Sequence, residues 1–325
     1  MSTPHHSWRP GAADREQPLK GTVALVTGAT RGAGRGTACM LGEAGATVYC
    51  TGRSVRGKLA TPNRPETIEE TAELVDAHGG VGIAVQVDHT VEEEVEALVA
   101  RIRSDYGRLD TLVNDIWGGD ELTVWGRPFW ELSVRDGLRM QERAVHSHVI
   151  TSRHAAPLMI ERGRGLIVEV TDGDTLGYRG HLFYDLAKVS AIRLAYAMAE
   201  ELCPRGVTAL AVTPGYLRSE AVLDHWGVTE RNWQDGVKKD PHFIGSETPF
   251  YVGRGIAALA ADPNVAGKAG GLYSSWSLAE EYGFADVDGR RPHWGRYFAE
   301  HVGGVPGGPA RTPIRWTLTR GSGEE

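Results

Sequence analysis

Apolar positions along this chain follow two alternating rhythms. Short apolar runs, most of them flanked by glycine or polar residues, recur at 21–27, 46–50, 81–87, 109–113, 165–170, 207–212 and 270–274. Runs of this length without strict alternation predict strands buried on both faces. Between them lie stretches with helical spacing. Residues 35–44 form one, and 65–78 another with Ile68, Thr71, Ala72 and Val75 on one face. Residues 91–105 align Val95, Leu98 and Ile102, and further helices are expected over 138–161, 182–202 and 248–261. Strands alternating with helices of this length predict an α/β fold: a doubly wound parallel sheet in a single domain, covered by helices on both faces.

Three segments break the rhythm. Residues 118–135 are rich in Trp and Gly, 216–248 is a long insertion after the sixth strand, and the tail from 275 ends in a Gly/Pro-rich stretch. The expected organisation is an N-terminal arm over 1–20, a catalytic domain over 21–274 carrying a substrate lid at 216–248, and a C-terminal extension over 275–325.

Composition narrows the function classes. The chain has 325 residues and a net charge of −7, with acidic and basic residues interspersed. Neither nucleic acid nor an anionic membrane is favoured as the main partner. Nothing approaches the ~20 apolar residues needed to span a bilayer. The three cysteines, Cys39, Cys50 and Cys203, are far apart and fit a reducing compartment, so a cytoplasmic location is expected. His146, His148 and His154 lack a coherent metal spacing, and no metal is expected.

The chemistry begins after the first strand, at Thr27-Gly28-Ala29-Thr30-Arg31-Gly32-Ala33-Gly34. Glycines let the backbone turn tightly against a phosphate, and the following helix N-terminus offers free N–H groups to a pyrophosphate. A strand, a glycine turn and a helix in this order predict a dinucleotide site. The second strand runs into Thr51-Gly52-Arg53 with no acid to bind ribose hydroxyls. Arg53 and Arg31 suit a 2′-phosphate, which favours NADP(H) over NAD(H). Asp88 is expected near the adenine and Asn114 near the middle of the cofactor.

Farther on, residues 166–188 read LIVEVTDGDTLGYRGHLFYDLAK. Tyr184 and Lys188 are four apart and share a helical face. A nearby ammonium favours the phenolate, so the tyrosine can exchange a proton with a substrate oxygen.

Together these residues resemble the short-chain dehydrogenase/reductase family over about 21–274. The TGxxxGxG turn appears as Thr27, Gly28, Gly32 and Gly34, and YxxxK as Tyr184 and Lys188. Pro214-Gly215 stands where the family has its proline-glycine motif, with Ser219 where a hydroxyl often meets the cofactor phosphates. The stretch 278–289, LAEEYGFADVDG, resembles a narrower branch of the family. The resemblance implies a Rossmann-type fold, a nicotinamide cofactor, carbonyl/alcohol chemistry on a small molecule, and homodimers or homotetramers built through helices 138–161 and 182–202.

This sequence also departs from the family pattern. The NNAG motif is Asn114-Asp115-Ile116-Trp117, and Ala144 falls where the long fifth helix often has asparagine. The substrate-binding serine becomes Asp172. An ionised aspartate cannot donate a hydrogen bond. Asp172 contacts the substrate, or Thr171 or Thr175 supplies the hydroxyl, or Asp172 is a turn acid. Trp117, Trp125, Trp130, Tyr178, His181, Phe183, Tyr216, Trp226 and Trp233 gather toward the expected site, which suggests a bulky or aromatic substrate. The reading is an NADP(H)-dependent oxidoreductase. The alternatives are a dehydratase or epimerase using Asp172 as base, and a non-catalytic NADP(H)-binding sensor or scaffold.

Overall fold

The apolar runs form seven strands: β1 (Val23–Thr27), β2 (Thr47–Gly52), β3 (Val81–Gln86), β4 (Thr111–Asn114), β5 (Gly165–Val170), β6 (Val207–Thr213) and β7 (Leu272–Ser274). In the computed structural model they make one parallel sheet in the order β3-β2-β1-β4-β5-β6-β7. The structure describes residues 17–61, 64–175 and 177–303. The expected arm lies outside them up to residue 16, and so does the tail beyond 303. Ordered packing begins before residue 21, because Leu19 is buried and its N–H bonds to Ala44 O at 2.9 Å.

The strand order reverses between β1 and β4, both of which pair directly with their neighbours. Such a reversal opens a crevice at the carboxyl ends of the strands, where ligands of this architecture bind. Alternate strand residues feed two cores. One holds Val26, Val48 and Val113 with α1 (Gly32–Glu43), α8 (Pro249–Ala261) and α9 (Ser275–Tyr282). The other holds Leu25, Leu112 and Ile167 with α3 (Glu92–Tyr106), α5 (Ser147–Ile160) and α6 (Leu182–Leu202). The helix α2 (Ile68–Ala77) packs between α1 and β3. Helices α1 and α8 meet at backbone distance: a Cβ on Gly36 would lie 2.1 Å from Pro249 O.

The helix expected over 138–161 is interrupted. It runs as α4 (Val134–Gln141), a π-turn over Glu142–His146, and then α5. Single π-turns inside helices often mark functional positions, and this one carries Ala144. The first part of the C-terminal extension is packed. On α9, Trp276, Leu278 and Ala279 are buried, as is Phe284 just beyond it. Asp286 then caps α8, accepting from Thr248 N at 2.8 Å and from the Thr248 hydroxyl. Among the described residues no helix is long and apolar enough to cross a membrane.

Candidate active site

At the β1–α1 turn Gly28 has φ +70°, and a Cβ there would sit 2.5 Å from Asp115 O. Only glycine lets the turn lie this close to the end of β4. Gly34 is tighter still, since its Cβ would meet Gly28 O at 2.4 Å. Gly34 therefore shapes the turn. Gly28, Arg31, Gly32 and Ala33 line a cavity of about 690 Å³ together with Arg53, Asp88, Pro214, Gly215 and Ser219. Arg31 precedes α1 in extended geometry without a side-chain cap, so the first N–H groups of the helix have no capping partner in Arg31. The Gly32 N–H donates to Glu220 Oε2 at 2.7 Å. Arg53 faces Asp88 at 3.7 Å. Arg143 joins them along the cavity wall, its guanidinium pushed down by burial and by the nearby charges of Arg53 and Arg139.

Asn114 does not line the cavity. It is fully buried, and its Nδ2 donates to Ser152 Oγ at 2.9 Å and Glu169 Oε1 at 2.7 Å. Glu169 in turn pairs with His148 Nδ1 at 2.6 Å, and His148 Nε2 reaches Ile116 O at 3.0 Å. His148 is thus a partner in a buried network, and His154 pairs with Glu92 at 2.8 Å. No cluster able to hold a metal occurs among the described residues. Asp115, next to Asn114, lines the cavity, and burial raises its carboxyl to about 7 against the opposing charges of Lys188 and His148.

Asp172, Tyr184 and Lys188 line the same cavity. His181 caps α6, its Nδ1 accepting from Tyr184 N at 3.2 Å. Tyr184 Oη donates to Asp172 Oδ2 at 2.7 Å. The three candidate replacements for serine make different contacts. Thr171 N bonds to Val212 O at 2.9 Å, and although the residue lines the cavity its hydroxyl donates to Lys188 O at 2.6 Å. Thr175 Oγ1 accepts from Gly177 N at 3.2 Å within its own loop. Asp172 is the one of the three that meets Tyr184. Its loop is tied down by Arg179, which donates to Asp172 O at 2.5 Å, Thr175 O at 2.7 Å and Asp185 Oδ1 at 3.0 Å.

Burial, then the Asp172 charge and hydrogen bond, push the Tyr184 phenol far above its ordinary range. Burial pushes Lys188 down, opposed by Asp172, Asp115 and Asp120. Lys188 Nζ lies 4.5 Å from the Trp117 ring centroid. Trp117 and Trp125 both meet the Tyr184 ring edge-on, at 5.0 and 5.2 Å.

The insertion 216–248 roofs the cavity. Ser219 opens α7 (Glu220–Trp226), accepting from Val222 N at 3.4 Å. Tyr216 Oη donates to Asp240 at 2.8 Å and accepts from Trp226 Nε1 at 3.2 Å. Behind them Arg218, 1% exposed, pairs with Glu230 at 2.8 Å and Asp288 at 2.9 Å. Trp233 lies between Arg218 at 4.4 Å and Arg290 at 4.3 Å, so it packs the lid and does not line the cavity. Trp130 and Tyr178 are exposed and do not line it either. A second chamber of about 400 Å³ continues past Tyr184 between Trp117, Trp125 and Trp226. Asp120, Arg143 and Arg179 carry no mark along the chain that ties them to this site. Asp115 has one, as the changed second position of the NNAG-like stretch.

The profile of the short chain dehydrogenases matches residues 22–226. The mouse protein dehydrogenase/reductase SDR family member 1 is 35% identical over 277 residues, covering 84% of this chain and 85% of that protein. The human protein of the same name is 35% identical over 278 residues, with the same coverage. Among solved structures, a hydroxysteroid dehydrogenase from Escherichia coli superposes with a TM-score of 0.64 at 24% identity, covering 79% of this chain and 96% of that one. These matches agree with the strand order and the turn geometry, and the chain belongs to the short-chain dehydrogenase/reductase family of oxidoreductases.

Proposed function

We propose that the protein transfers hydride between NADP(H) and a bulky or aromatic carbonyl/alcohol substrate, with Tyr184 moving the proton. The observation that carries this reading is the 2.7 Å contact from Tyr184 Oη to Asp172, in a cavity continuous with the glycine turn. The residues fit a dinucleotide: Gly28 and Gly34 occupy positions a Cβ would fill, and Arg31 and Arg53 suit a 2′-phosphate. When bound, the nicotinamide supplies or accepts the hydride at the substrate carbon.

The chain's own groups handle the proton. In reduction Tyr184 Oη gives its proton to the oxygen of the forming alkoxide. Oxidation runs the same step in reverse, the phenolate oxygen of Tyr184 taking the alcohol proton. Lys188 offsets the negative charge that develops on the phenol oxygen. A dehydratase would need Asp172 free to reach a C–H bond, whereas Tyr184 holds its Oδ2. A sensor would have no use for this proton path.

The proposed assembly is a homodimer or homotetramer, supported by exposed Val134 and Leu138 on α4 and Leu186 on α6; a monomeric mass by light scattering would remove it. A cytoplasmic location is proposed from three free cysteines. The functional reading is tested by following NADPH and NADH consumption over a panel of aromatic ketones, aldehydes and quinones. NADPH-preferring turnover that Tyr184→Phe abolishes is expected. Failure to bind either cofactor would overturn it.

A further inference from the structure

The chamber beyond Tyr184 has an unusual lining for a ketone pocket. Its walls include the rings of Trp117, Trp125, Tyr184 and Trp226, together with the Asp120 carboxylate, and among the described residues no Lys or Arg lines it. Aromatic faces attract cations, above all quaternary and protonated amines. Lys188, which lines the adjoining cavity and not this chamber, sits with Nζ 4.5 Å from the Trp117 centroid. Asp120 is aimed by the same ring, its Oδ1 accepting from Trp117 Nε1 at 2.6 Å.

The charges around the chamber do not cancel. Asp172 borders it through its bond to Tyr184, and Lys188 offsets one negative charge there. Asp120 is left over. Its charge reaches both proton-transfer groups, raising Tyr184 and Lys188 alike. His225 lines the α7 wall, and Asp240 lies beyond Tyr216. Arg179 is taken up by loop carbonyls and Asp185, and Arg143, on the wall of the adjoining cavity, donates to Gly118 O at 2.7 Å. A neutral substrate would leave the extra carboxylate unused. A positively charged one would place its nitrogen among the rings and against Asp120, with its oxygen at Tyr184.

We infer that the substrate is an amino ketone or amino alcohol whose protonated or quaternary nitrogen is held by Trp117, Trp125 and Asp120. This rests on the reading of Tyr184 as the group that exchanges a proton with the substrate oxygen, and it names the substrate class of that site.

The test compares phenacyl trimethylammonium with its tert-butyl isostere, in which carbon replaces the charged nitrogen. Dissociation constants are read by titration calorimetry on the full chain, and each compound is also offered for NADPH-dependent reduction. The cation is expected to bind about tenfold tighter than the isostere. Asp120→Asn should bring that ratio close to one, because asparagine keeps an acceptor for Trp117 Nε1–H and removes only the charge. Equal or tighter binding of the isostere, binding of neither compound, or an unchanged ratio in Asp120→Asn would overturn the inference. Reduction of the neutral ketone in that event would leave the oxidoreductase reading standing, and loss of turnover with every carbonyl compound would count against that reading instead.

Discussion

Arg179 donates from Nε to the carbonyl oxygen of Asp172 at 2.5 Å. It holds the backbone of the residue that Tyr184 contacts and leaves that residue's carboxylate free. The same guanidinium reaches Asp185, one residue past Tyr184, at 3.0 Å. One side chain therefore ties the Asp172 backbone to the helix turn that carries Tyr184.

Removing that tie should separate geometry from chemistry. Arg179→Met is expected to lower kcat by about ten- to a hundredfold, because misplacement of about 1 Å costs that much in an oriented site. Cofactor affinity, read by fluorescence titration, should change by less than about threefold, since Arg179 does not line the dinucleotide half of the cavity. Circular dichroism melts would show whether the fold persists.

Asp172 should set the alkaline limb of the pH profile. Burial raises the Tyr184 phenol first, and the Asp172 charge raises it further. Asp172→Ser removes the second cause, so the phenol should ionise at lower pH than in the wild type. In reduction the protonated phenol is the acid, and the loss of rate at high pH should move toward neutrality. Ultraviolet titration of the phenolate band, compared with Tyr184→Phe, would follow the same shift. An alkaline limb that stays in place in Asp172→Ser would contradict this account.

The cofactor's second phosphate should be read by arginine. Arg31→Ala combined with Arg53→Ala is expected to weaken NADPH binding by about ten- to a hundredfold, with NADH affected by less than about threefold. Parallel fluorescence titrations give both numbers, and raised salt should shrink the difference.

Glu247 gives a stability prediction with a definite sign. The residue is fully buried between Ser275 Oγ at 2.6 Å and the Gly215 N–H, and burial raises its carboxyl from 4.5 to about 8. The folded state therefore keeps this proton where the unfolded chain has lost it. The contribution is fully present below about pH 4.5 and declines as pH rises through about 8. Glu247→Gln lacks that titration. Its melting temperature should rise relative to the wild type between pH 5 and pH 8, by about several degrees.

Strands and helices were legible because apolar spacing reports burial directly: the run at 207–212 lies wholly within β6. The glycine turn was legible because Gly28 and Gly34 answer to backbone contacts that no other residue permits. The rest depended on contacts between distant segments. Whether Asp172 or Thr171 faces Tyr184 is settled by one residue of register against β6, where Thr171 N meets Val212 O. Asn114 looks like a cofactor residue along the chain, yet β5 brings Glu169 against it and α5 brings Ser152, and both draw its amide away from the cavity. The break at Glu142–His146 leaves no local mark, since it contains neither proline nor glycine.

The Arg218 clasp has a consequence for the order in which the domain is fastened. The lid is held to Asp288 at 2.9 Å, and α8 is capped by Asp286. Both acids follow every strand of the sheet in the chain. During synthesis from the N-terminus the residues of the sheet and of the roof at 216–248 therefore all emerge before the acids that anchor them. The roof would thus be the last part of the domain to be fastened, only once the DVDG stretch at 286–289 has emerged.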